Sequence, residues 1–211
     1  MKEKELKENE KIIFILISLL VIFFWYIIFI WQPLSFWVLM SGGNLFLVLI
    51  AITWKGKRVL PDNLSFKDII LGLISAFILY YIFWLGYYMG NLIFPFVTEK
   101  VAEIYTLTDG YNNLILSALL LFIIGPGEEI FWRGLLQKQL GIKYSPLFSF
   151  LMVTIGYTLV HFLTGSLVLA GAAAAAGLFW GVIYWHQQSL WMVIISHAVW
   201  DVLILILMPI S

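Results

Sequence analysis

Gly125-Pro126-Gly127-Glu128-Glu129-Ile130-Phe131-Trp132-Arg133-Gly134 sets three ionisable side chains into an otherwise apolar stretch, and the reading of that stretch decides the fold. An ionisable group in the hydrocarbon layer costs several kcal/mol unless it is paired or hydrated. Three together are a functional-site hypothesis by default. The chain is expected to carry out chemistry inside a membrane.

The surrounding composition agrees. Of 211 residues, 63% are hydrophobic and only 11% charged, and the mean hydropathy is +1.00. A soluble domain carries about 25% charged residues. The formal net charge is zero, which leaves no basic footprint for nucleic acid. With no cysteine, disulfides, thiolate zinc sites, a cysteine nucleophile and cysteine lipidation are all excluded. The charged first ten residues precede an apolar run of about 20 residues with no small-residue cleavage site, which reads as a retained span.

On a ruler of about 20 apolar residues per crossing, the chain divides into seven segments, roughly 12–31, 34–54, 69–94, 114–140, 146–163, 167–185 and 190–208. The expected fold is an all-α, polytopic membrane bundle of about seven transmembrane helices, forming a single integral membrane domain over residues 1–211. Alternation from a cytoplasmic amino terminus places Lys2, Lys4, Lys7, Lys11, Lys55, Lys57, Arg58, Lys67, Lys138 and Lys143 inside and Lys100 alone outside, beside Glu99, Glu103 and Asp109. That bias predicts an N-in, C-out orientation. Small residues recur at Gly86 and Gly90 and from Ala172 to Gly181, a spacing that lets helix backbones approach closely. They are read as packing features. Most of the ten tryptophans are read as interface-belt residues, with Trp132 and Trp200 as candidates to line a cavity.

Well inside the proposed spans, the ionisable side chains are Glu128, Glu129, Arg133, His161, His197 and Asp201. Glu129 with Arg133, Tyr157 with His161, and His197 with Asp201 are each four apart, which stacks each pair on one helix face. Lipid does not solvate such faces, so all three should turn inward toward one another. At 1.5 Å of rise per residue, Glu128 and His161 lie at similar depth, whereas straight helices leave His197 roughly 10 Å shallower. Pro126 removes a backbone hydrogen bond, so Glu128 is expected to open a new half-helix. Glu129 is expected to pair with Arg133, leaving Glu128 as the candidate base.

A carboxylate and an imidazole facing each other across a water form a plausible general-base apparatus for hydrolysis. A second imidazole, held by an aspartate one turn away, suits a developing oxyanion. Equally, Glu128, His161 and His197 are a possible ligand set for a hydrolytic zinc, which commonly takes three protein ligands. Ser196 and Thr158 lie near these residues, but a serine nucleophile is the weaker reading. His186, beside Gln187 and Gln188, reads as a solvated turn residue.

Glu128-Glu129 with Arg133, Tyr157 with His161, and His197 with Asp201 resemble, in order and spacing, the three motifs of the CAAX protease and bacteriocin-processing family, also called the Abi family. The similarity covers a catalytic core of about residues 114–205. The resemblance implies an intramembrane endopeptidase of a bacterial cell membrane that cuts a hydrophobic, prenylated or membrane-associated peptide or protein. It implies that Glu128 and His161 activate water, that His197 and Asp201 support the oxyanion, and that Glu129 and Arg133 shape the site. No cofactor is favoured, and zinc remains possible. In the family the second motif usually begins with Phe, where this chain has Tyr157, and the third often ends in Asn, where it has Asp201. A catalytically idle scaffold or a bacteriocin immunity protein of the same fold is the alternative, and a proton-coupled transporter is disfavoured by the lack of an inverted repeat.

Overall fold

Side-chain oxygens placed just ahead of five of the apolar runs fix where those helices begin. The computed structural model describes residues 2–210, and these form helices and connecting turns with no β-strand. Helix α1 spans Lys2–Tyr26 and continues as a π-helical turn, Ile27–Trp31. Helix α2 is Phe36–Lys55, α3 is Phe66–Ile93 and α4 is Phe96–Tyr105. A long composite helix, α5, runs Asn113–Lys143; then come α6, Pro146–Phe162, α7, Leu167–Gln187, and α8, Leu190–Leu207. Ser65 and Asp68 form a reciprocal capping box on α3, Asn112 caps α5, and Ser145, Ser166 and Ser189 cap α6, α7 and α8. Each oxygen satisfies a backbone N–H left orphaned in the first turn, worth about 1 kcal/mol.

Five helical stretches are long and apolar enough to cross a membrane: Phe36–Val59, Phe66–Ile93, Asn113–Lys143, Leu167–Gln187 and Leu190–Leu207. Ile15–Trp31 and Pro146–Phe162 are apolar but shorter. Large apolar side chains such as Leu114, Phe122 and Leu92 point away from the bundle, an arrangement that suits lipid and would be an aggregation hazard in water. Four of the ten tryptophans, Trp25, Trp37, Trp132 and Trp180, are buried within the bundle. There they supply the large apolar surface that inter-helix packing uses.

Polar contacts sort the turns into two ends. At one end Lys138 Nζ donates to the Arg58 carbonyl at 2.9 Å, Lys67 Nζ to Gln187 Oε1 at 3.2 Å, and Trp191 Nε1 to the Asp62 carbonyl at 2.6 Å. At the other end Trp37 Nε1 donates to the Leu107 carbonyl at 2.7 Å, and the Tyr105 hydroxyl donates to the Ile204 carbonyl at 3.0 Å. Lys100 lies in α4 at that second end, while Lys55, Lys57, Arg58, Lys67, Lys138 and Lys143 lie in or beside the turns of the first. The side chains of Lys2, Lys4, Lys7 and Lys11 lie outside the described residues.

Gly125-Pro126-Gly127 does not break α5. The helix passes through it, with π-helical turns at Leu120–Ile124 before and Ile130–Gln137 after. A π turn opens the ladder where proline offers no N–H and crowds the turn before it. The two glycines instead permit close packing: a Cβ at Gly125 would stand 2.9 Å from Ala198 Cα on α8, and one at Gly127 would stand 2.9 Å from Asn44 Cβ on α2. The small-residue stripe divides likewise. A Cβ at Gly177 or Gly181 would press on Tyr157 or Phe150, but one at Gly86 or Gly171 would meet nothing within 4 Å. Those two line a cavity.

Candidate active site

Consecutive residues on a helix point about 100° apart, and Glu128 and Glu129 use that angle to address two different helices. Both are buried. Glu128 Oε2 accepts the Tyr157 hydroxyl of α6 at 2.8 Å. Glu129 Oε1 accepts Arg133 Nη1 at 2.8 Å and His197 Nδ1 of α8 at 2.7 Å.

Arg133 is only 1% exposed. Beyond Glu129 it donates Nη2 to the Gly177 carbonyl at 3.3 Å, and its guanidinium lies 5.3 Å from the Tyr157 ring centre and 5.7 Å from that of Trp180. Such a buried ion pair stands only when further hydrogen bonds and aromatic faces replace the lost water. Trp180 also stacks on His197 at 3.7 Å with 21° between the planes, and its Nε1 donates to Ser196 Oγ. Ser196 is fully buried in that bond and does not face the cavity.

His161 places Nδ1 2.7 Å from the carbonyl of Tyr157. A carbonyl can only accept, so Nδ1 carries the proton and Nε2 is left for other work. The ring is fixed by Trp25, Phe29 and Tyr157, with centroid separations of 5.7, 6.2 and 4.5 Å. His197 is bracketed, with Glu129 at Nδ1 and Asp201 Oδ2 3.5 Å from Nε2. The closer partner is thus Glu129, a contact between α5 and α8 that residue spacing did not reveal.

The expected 10 Å depth offset of His197 is absent. That estimate set the turns before α6 and α8 at one height, but a Cβ at Gly134 would stand 3.0 Å from Leu190 Cδ2. Helix α8 therefore starts alongside Gly134, nine residues short of Lys143, which at helical rise is about 13 Å and makes up the difference. Trp200 lines the cavity, whereas Trp132 backs Tyr157 edge-on at 5.2 Å. His186 is exposed on the last turn of α7 rather than in a loop.

Glu128, Tyr157, His161, Trp180, His197 and Asp201 all line one cavity of about 510 Å³. Glu129 and Arg133 lie behind it. Among the described residues no three His, Asp or Glu side chains gather as a metal site. Each of the three supposed zinc ligands has a coordinating atom already bonded: Oε2 of Glu128 to Tyr157, Nδ1 of His161 to the Tyr157 carbonyl, and Nδ1 of His197 to Glu129.

No curated protein and no solved structure matches the chain. Residues 110–203 match the family described as Type II CAAX prenyl endopeptidase Rce1-like. That segment, less than half of the chain, carries Glu128, Glu129, Arg133, His161, His197 and Asp201 and is similar to that family.

Proposed function

We propose that this is an intramembrane endopeptidase that hydrolyses a peptide bond of a hydrophobic, membrane-associated peptide by water activated between Glu128 and His161. The observation that carries it is the shared tether: Tyr157 holds Glu128 through its hydroxyl and His161 through its carbonyl, on the wall of one cavity. Glu128 takes a proton from water, and the hydroxide attacks the carbonyl carbon. His197, fixed at Nδ1 by Glu129, turns Nε2–H toward the oxyanion with Asp201 beside it, and donors so placed lower the barrier most where water is excluded. As the C–N bond breaks, the amine leaves with the proton returned by Glu128 or His161. Glu129 and Arg133 position His197 and do not touch the substrate.

In this reading the catalytic core is residues 114–205 of one membrane domain. Seven crossings with the amino terminus inside fit the basic turns clustered at one end of the bundle. The test is full-length protein in proteoliposomes incubated with a library of membrane peptides, beside the Glu128→Gln variant. Cleavage products from the first and none from the second are expected. Equal cleavage by both would sink the mechanism.

A further inference from the structure

His197 meets the cavity with its ring pinned firmly at one atom. Glu129 holds Nδ1 at 2.7 Å, whereas Asp201 stands 3.5 Å from Nε2, at the outer limit of a hydrogen bond. The last torsion of a histidine is broad, and a single hydrogen bond tolerates a wide range of angles. One contact therefore leaves the ring plane, and with it the aim of Nε2, loosely set. An oxyanion donor works only where it is aimed.

The plane is set from a third helix. The Trp180 indole on α7 stacks on the imidazole at 3.7 Å with 21° between the planes, so the ring cannot tilt toward it without collision. Trp180 is itself held. Its Nε1 donates at 3.1 Å to Ser196 Oγ, one residue before His197, and Trp200 meets it edge-on at 5.5 Å. Its helix is held as well: Arg133 Nη2 donates to the Gly177 carbonyl and Gln137 Nε2 to the Gly181 carbonyl at 2.9 Å, on either side of Trp180 in sequence. Glu129, Arg133 and Gln137 are four apart and share one face of α5. The face that grips His197 thus also grips the helix carrying Trp180.

Resting on the endopeptidase reading above, we infer that Trp180 is a positioning residue for the hydrolysis: its indole fixes the ring plane of His197 and so directs Nε2 at the oxyanion. Kinetics separate this role from that of a cavity wall. On a membrane peptide that the unaltered chain cuts and Glu128→Gln does not, Trp180→Leu should lower kcat by about 10²-fold, the effect of a displacement of about 1 Å at a reacting group, with KM within about twofold. Trp180→Phe keeps a flat ring against His197 and should recover most of that loss. Added to His197→Gln, Trp180→Leu should cost nothing further, because it acts only through that ring. A raised KM with kcat unchanged, equal losses in the Leu and Phe variants, or losses that multiply in the double variant overturns the inference.

A second readout needs no activity. The chain has three histidines, so carbon-13 at histidine Cε1 gives three signals in detergent, assigned by replacing each histidine with glutamine. In otherwise deuterated protein with protonated histidine and tryptophan rings, the His197 Cε1 proton should show a nuclear Overhauser contact to an indole, lost in Trp180→Phe. Its absence from the unaltered chain, or its survival in Trp180→Phe, overturns the inference whether or not Trp180→Leu folds. The contact present in a chain that cuts no peptide would strike the endopeptidase reading instead.

Discussion

The Tyr157 hydroxyl donates to Glu128 at 2.8 Å across the contact between α6 and α5. In the motif that this segment resembles, phenylalanine usually stands at that position, so the bond is an addition to the site. A hydrogen bond to a charged group is worth about 1.5–3 kcal/mol. Tyr157→Phe keeps the ring that packs on Trp132 and His161 and should lower kcat by about tenfold or more, with KM within about twofold. Steady-state kinetics on a membrane peptide checks this, and an unchanged kcat would make the hydroxyl a packing accessory.

Glu128→Gln and His161→Ala should each reduce turnover by about 10²–10⁴-fold, the usual loss for a general base. If both act on one water, the double variant should be scarcely worse than either single one. Multiplying losses would mean that they serve separate steps.

Glu129 differs from its neighbour in what its loss exposes. Glu129→Ala strips Arg133 and His197 of their shared carboxylate inside the bundle, and an uncompensated buried charge costs about 3–5 kcal/mol. Unfolding in detergent should show a large loss of stability, whereas Glu128→Gln should remain close to the parent. Similar unfolding curves for the two would place Glu129 in chemistry rather than in support.

Glycines give a paired test of packing. A Cβ at Gly134 would lie 2.5 Å from the Val59 carbonyl oxygen, so Gly134→Ala forces the turn after α2 away and should cost about 1–3 kcal/mol. Gly86→Ala enters open space and should fall within about 0.5 kcal/mol of the parent. The same detergent unfolding assay reads both.

Much of this arrangement was legible because hydropathy and spacing are local properties. The helices could be placed from apolar runs, and the partnership of Glu129 with Arg133 from a separation of four on one helix. Contacts between helices were not legible, since they depend on relative height and rotation. His197 was placed too shallow because the turns before α6 and α8 were given one level, and Trp180, which covers its ring, carried no signal beyond being one tryptophan among ten. Gly125-Pro126-Gly127 misled for a related reason. Proline and glycine weaken a helix in isolation, but here the surroundings supply a π turn and close neighbours that override the local preference.

Those π turns make rotational phase a quantity that hydropathy does not register. Deleting one residue within Leu120–Ile124 would leave a continuous apolar rod still long enough to cross a bilayer. Yet it would swing one side of the join through about 100° relative to the other, and both carboxylates would lose their partners to lipid.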